Sequence, residues 1–146
     1  MNITKKQETI LMVIWAQTLV ATLGSLFFSE VMGYTPCELC WIQRIFMYPL
    51  VVIYGVALWK KDISIALPGL ILSSIGMIVS IYHYSIQKLP MLQETGGSCG
   101  NVPCNVQYIN YGGFITIPFL AGIAFIVITS LHIYLLKQQR GNNDAK

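Results

Sequence analysis

Four cysteines in two close pairs carry most of the reactive chemistry in this chain. Cys37 and Cys40 are separated by two residues within TPCELCWIQR, and Cys99 and Cys104 by four within GGSCGNVPC. Each pair can be a dithiol or a disulfide, and together they could also give four thiolates to a zinc ion. Arg44 follows Cys40 by four residues, one helical turn deeper into an apolar run. A cation there can hold a thiolate or a ligand oxygen; the plainer role is an interface anchor whose head snorkels to water. A helix starting at Cys40 would add its unpaired N–H groups and positive dipole end to the stabilisation of a thiolate. Cys99 and Cys104 sit among Gly96, Gly97 and Gly100. A disulfide closing so short a loop stabilises little and is open to attack by an outside thiolate, with a structural staple as the competing role.

The elements that must position these residues are apolar and long. Of 146 residues, 55% are hydrophobic and only 10% charged, far below the roughly 25% charged of soluble domains. One domain of four membrane-spanning helices is predicted, near residues 9–29, 41–59, 63–85 and 114–136, with loops at 30–40 and 86–113. The fold class is therefore an all-α integral membrane protein, a four-helix bundle. The first span carries no charge from Thr9 to Ser29 and is too long for the apolar region of a cleaved signal, so a retained helix is expected. Pro49 should bend or loosen the second helix, and Pro118 falls in the first turns of the last, where a missing N–H costs little. Gly69, Ser73, Gly76 and Ser80 line one face of the third helix, a pattern that lets helices approach closely in lipid. The loop at 86–113, rich in Gly, Pro and Asn, is read as irregular and functional.

Positive charge sets the orientation. Lys5, Lys6, Lys60, Lys61, Lys137, Arg140 and Lys146 all fall on one side of a four-span arrangement, against Lys88 on the other and Arg44 at its edge. That bias places both termini in the cytoplasm. Both cysteine pairs are then extracytoplasmic, where disulfides persist. Two exchangeable pairs on one face suggest a relay, and electrons taken from an outside dithiol need an acceptor. A lipid-soluble quinone is available in the bilayer. Haem is poorly supported, because His83 and His132 fall on opposite sides, and there is no Cys-x-x-Cys-His or dinucleotide-binding glycine motif. An oxidising compartment and the presence of Arg44 both disfavour zinc.

PCELCWIQR at Pro36–Arg44 resembles the Pro-Cys-x-Leu-Cys-x-x-x-Arg signature of the disulfide bond formation protein B (DsbB) family, and the chain looks closest to the short Gram-positive BdbC type. The resemblance covers nearly the whole chain and implies a thiol:quinone oxidoreductase of the bacterial plasma membrane. It implies that Cys99, Cys104, Cys37 and Cys40 are catalytic, with electrons passing from Cys99–Cys104 to Cys37–Cys40 and on to quinone. Cys40 and Arg44 would stand beside the quinone, with menaquinone the expected one. His83 falls where the family lines the quinone pocket, with a plain interface histidine as the alternative. No metal is expected. The implied partner is an extracytoplasmic thioredoxin-fold oxidase of the DsbA or BdbD kind, alongside the membrane quinone pool. One departure concerns the loop: Gram-negative members place an amphipathic helix between the two loop cysteines, and four residues leave no space for it. Two rivals are an enzyme running in the reducing direction, and a tetraspan scaffold with structural disulfides or a four-cysteine zinc site.

Overall fold

The computed structural model describes residues 3–96 and 101–144. The first helix, α1, spans Lys5–Leu26 and begins at a reciprocal cap, in which the Thr4 hydroxyl accepts from the Gln7 backbone while the Gln7 side chain accepts from Thr4 N–H. It runs straight into a π-helical segment, Phe27–Val31. A short link containing Gly33 at φ +69°, a left-handed geometry that suits glycine, leads to α2 at Glu38–Lys60. Lys61 and Asp62 turn the chain back, and the Asp62 carboxylate accepts from the Ser64 backbone N–H to cap a 3₁₀ turn, Ile63–Ala66, that enters α3, Leu67–Lys88. A short helix α4, Pro90–Gly96, and a loop bring the chain to α5, Ile117–Asp144.

Four of these elements are long and apolar enough to cross a membrane: α1 with its π segment, α2, α3 with its 3₁₀ turn, and α5. They close into a ring in which α1 packs on α2, α2 on α3, α3 on α5 and α5 on α1. Their outer faces expose Val20, Leu23, Ile45, Val52, Ile71 and Ile78. The interior holds Thr18, Ser73, Ser80, Thr129 and His132, an arrangement suited to lipid rather than water outside.

The small-residue face of α3 does what its spacing predicts. A side chain at Gly69 would meet Tyr54 at 2.9 Å, and one at Gly76 would run into the Phe125 ring. Between them the Thr129 hydroxyl donates to Ser73 Oγ at 3.0 Å. Large rings from α2 and α5 thus fill the space left by the missing side chains. The core of Leu11, Ile14, Leu50, Tyr54, Ile128 and Leu135 forms around these contacts.

Several boundaries differ from the sequence expectation. α2 starts at Glu38 and not Trp41, because a carboxylate is welcome beside the unpaired N–H groups of a first turn. α5 starts at Ile117 and runs to Asp144, since KQQRGNND continues helically past the apolar stretch. The loop expected from Ile86 is ordered at its start, with α3 reaching Lys88 and α4 opening on Pro90, a residue suited to a first helical turn. The loop's later part is strapped down: Lys88 Nζ donates to the Gly113 carbonyl at 2.6 Å, and Gln107 Nε2 to the Gln87 carbonyl at 2.9 Å. Lys61 pairs with Glu8 at 3.2 Å, and Lys6 lies over the Tyr134 ring. The start of α1, the α2–α3 turn and the α5 extension therefore share one end of the bundle, and Cys37, Cys40 and Cys104 lie at the other.

Candidate functional site

Cys37 is the N-cap of α2 and Cys40 lies in its first turn, so the two sulfurs face each other across one turn of backbone. The Cys37 thiol donates to Cys40 Sγ at 3.2 Å. Cys37 is buried and Cys40 half-buried. The hydrogen bond to Cys40, with burial adding to it and His83 opposing it, pushes the Cys37 thiol up to about 12. Cys37 therefore keeps its proton at ordinary pH, and Cys40 offers the accepting sulfur.

His83, from the C-terminal part of α3, is buried to 1% exposure. Its Nε2 lies 3.6 Å from Cys37 Sγ and 3.1 Å from the Cys104 carbonyl oxygen. Gln87, one turn on, donates through Nε2 to the carbonyls of Cys104 at 3.5 Å and Val106 at 3.1 Å. Two α3 side chains thus draw the backbone at Cys104, itself buried, onto the Cys37 side of the site. Cys99 lies outside the described residues.

Arg44 turns toward α1. Its Nε donates to Ser25 Oγ at 3.0 Å and its terminal nitrogen to the Ser25 carbonyl at 3.1 Å, and the guanidinium lies over the Trp41 ring. Ser25 precedes the π segment, and π turns, which disturb the regular carbonyl ladder, recur at functional sites.

These groups border a cavity of about 370 Å³, walled by α1, α2, the start of α5 and the loop after Cys104. Cys40, Arg44 and His83 all line it, as do Gln43 and Tyr48. Gln43 Nε2 and Tyr48 Oη are buried with no protein partner. Most of the remaining wall is apolar, with Ala21, Met47, Ala121 and Phe125. An apolar slot with a few unpaired donors fits a flat ring bearing acceptor oxygens, so a quinone head group suits it.

Sequence reasoning singled out Cys37, Cys40, Arg44 and His83, and the structure brings these four to one cavity with the backbone of Cys104. It missed Ser25, Gln43, Tyr48 and Gln87. Gln43 carried a usable signal, being an amide in an apolar run three residues after Cys40. Ser25 and Gln87 carried none, because their partners are 19 and 17 residues away in sequence.

The chain matches the family model described as disulfide bond formation protein DsbB over residues 7–135. It belongs to that family. Among its relatives, a probable disulfide formation protein of Oceanobacillus iheyensis is 62% identical over 94% of this chain and 96% of its own length. The probable disulfide formation protein C of Bacillus cereus (strain ATCC 14579) is 51% identical over 92% of this chain and 97% of its own. The disulfide bond formation protein C of Bacillus subtilis is 49% identical over 86% of this chain and 91% of its own. No solved structure matches this DsbB-family chain significantly.

Proposed function

We propose that this chain is a membrane thiol:quinone oxidoreductase that reoxidises an extracytoplasmic thioredoxin-fold oxidase. The observation that carries the reading is the Cys37–Cys40 pair, 3.2 Å apart, lining a cavity that also holds Arg44. In the proposed direction, a thiolate of the partner attacks the Cys99–Cys104 disulfide to form a mixed disulfide. The partner's second thiol resolves it, leaving the partner oxidised and the loop pair reduced. The loop dithiol then reduces the Cys37–Cys40 disulfide by the same exchange. Cys37 and Cys40 close again to their disulfide, releasing two electrons and two protons on the cavity side.

A quinone bound in the cavity, with menaquinone the expected one, supplies the two-electron, two-proton acceptor. The protein's part is to hold geometry and protons. Cys40 presents its sulfur beside Arg44, and Cys37 keeps a proton directed at Cys40. His83 stands between Cys37 and the Cys104 backbone, where its ring nitrogen can take up the proton that Cys37 must lose when the disulfide forms. Gln43 and Tyr48 offer donors to a ligand oxygen. Both termini are assigned to the cytoplasm of a bacterial cell and both cysteine pairs to the outer face of its plasma membrane. The clustering of Lys6 and Lys61 contacts at the end away from Cys37 supports this orientation.

Trapping the thiols in the intact envelope with a maleimide reagent tests the reading. Cys104→Ser should accumulate a mixed disulfide through Cys99 to a thioredoxin-fold protein, and wild-type thiols should cycle. Cysteines that stay permanently oxidised or metal-bound, with no adduct, would point to a scaffold instead. Partner disulfides reduced at the expense of quinol, and never the reverse, would reverse the direction.

A further inference from the structure

The two histidines of this chain sit in different chemistry. His132 is hydrogen-bonded to a tyrosine in a packed core, whereas His83 faces the Cys37 sulfur with that of Cys40 nearby. Cys37 Sγ, Cys40 Sγ and one ring nitrogen of His83 all lie within 4.8 Å of one another. Tetrahedral zinc, with Zn–S near 2.3 Å and Zn–N about 2.0–2.1 Å, sets its ligand atoms roughly 3.5–3.8 Å apart. The Cys37–His83 distance of 3.6 Å already meets that spacing, and the sulfurs at 3.2 Å need to part only slightly. The three ligands come from two packed helices, two of them buried. Two sulfurs and an imidazole are a donor set that selects soft cations.

We propose that the reduced Cys37–Cys40 pair and His83 form a redox-gated site for a soft d¹⁰ cation of the zinc class, and that its occupancy blocks thiol exchange. The blocking rests on the relay reading; the binding does not. Entry of the ion displaces the thiol protons and transfers no electrons. Nε2 presents its lone pair once the ring proton sits on Nδ1, which gives up the hydrogen bond from Nε2 to the Cys104 carbonyl. The Cys104 carbonyl, beside the same nitrogen, or a water completes four-coordination. Closing the Cys37–Cys40 disulfide removes both thiolates, so the oxidised enzyme has no such site. The ion and the electron acceptor thus compete for the same reduced sulfurs.

The test uses the full chain in detergent with Cys99→Ser and Cys104→Ser, so that the loop pair gives no ligands. Reduced anaerobically and freed of reductant, it should take one equivalent of Co²⁺. That adduct should show a near-ultraviolet thiolate-to-cobalt band and the visible bands of a tetrahedral site, and Zn²⁺ should displace the cobalt. The same protein with Cys37 and Cys40 joined should show neither band. His83→Gln should weaken binding by at least the roughly 10–100-fold that loss of a mere outer-shell partner costs, and alter the visible bands. In a second arm, His83→Gln alone should lose one tight equivalent relative to the reduced wild type. Equal binding by the oxidised protein, or unchanged affinity and spectrum in both His83→Gln proteins, would overturn the site. Turnover of metal-free wild type with a reduced partner is measured separately. Its absence would remove the relay while the optical result stands on its own. Where turnover is present, saturating Zn²⁺ should lower it at least tenfold, and undiminished turnover would overturn the blocking.

Discussion

The two ends of this bundle use similar residues for opposite purposes. At the lysine end, His132 is fully buried, and its Nδ1 meets the Tyr54 hydroxyl at 2.7 Å inside a core of Leu50, Ile128 and Leu135. At the cysteine end, His83 is as deeply buried, but it faces a thiol, a backbone carbonyl and a cavity. At the lysine end Tyr54 and His132 close on each other within a packed interior, and His132 Nε2, which has no partner, lies away from the cavity. The cysteine end leaves Gln43 and Tyr48 without partners and keeps a space beside them. Burial alone therefore does not mark function in a membrane bundle. A buried polar group with no protein partner beside a cavity does, because leaving it unmade costs about 1–3 kcal/mol unless something else binds it.

If this contrast is right, substitutions at the two ends should separate activity from stability. The largest effect is expected from Cys37→Ser, which should reduce partner-driven turnover to background while leaving the thermal midpoint of the purified protein nearly unchanged. A large fall in the midpoint would make this pair structural. Gly76→Ala, where the new methyl would run into the Phe125 ring, should cost about 1–3 kcal/mol through overpacking, read as a lowered midpoint with the folded fraction still active. Tyr54→Phe removes the hydroxyl paired with His132 and should cost about 1–3 kcal/mol, again with little change in turnover. A loss of turnover without loss of stability in either variant would dissolve the distinction between the ends.

Arg44→Ala should raise the apparent quinone KM roughly tenfold, as expected for losing a charged hydrogen bond of about 1.5 kcal/mol, and slow partner exchange less. Unchanged quinone kinetics would leave Arg44 as an anchor for Ser25 and Trp41. The smallest effect near neutral pH concerns the Cys37 thiol, held up to about 12 chiefly by its hydrogen bond to Cys40. An ordinary thiol ionises near about 8.5. The native state therefore keeps a proton that the unfolded chain loses, so this group's stabilisation is full below that pH and fades as pH rises toward about 12. Initial rates of iodoacetamide labelling at Cys37, read by mass spectrometry on reduced protein, should stay low at pH 8 and keep rising with pH, without levelling off, toward about 12. A labelling midpoint near 8.5 would contradict the pairing.

The spans were legible because lysines and the Lys61–Asp62 turn interrupt apolar runs of bilayer length, and that signal is local. The face of Gly69, Ser73, Gly76 and Ser80 was legible for the same reason, although its partners Tyr54 and Phe125 were not. Charge patterning misplaced the ends of α2 and α5, since a helix does not stop where its apolar stretch does. At the site, the Cys37–Cys40 contact was visible in the spacing. The Cys37–His83 contact spans 46 residues and depends on how α2 and α3 rotate against each other, which no periodicity states. Arg44 was legible as a cation one turn beyond Cys40, but its bonds to Ser25 depend on the packing of α1 against α2.

Quinone reduction by the purified protein, followed optically with a reduced thioredoxin-fold partner as the electron source, decides whether Cys40 passes electrons to quinone. One quinol should form for each partner disulfide, and none above background with Cys40→Ser. Quinone left unreduced by wild type, or reduced equally well by Cys40→Ser, would contradict that role.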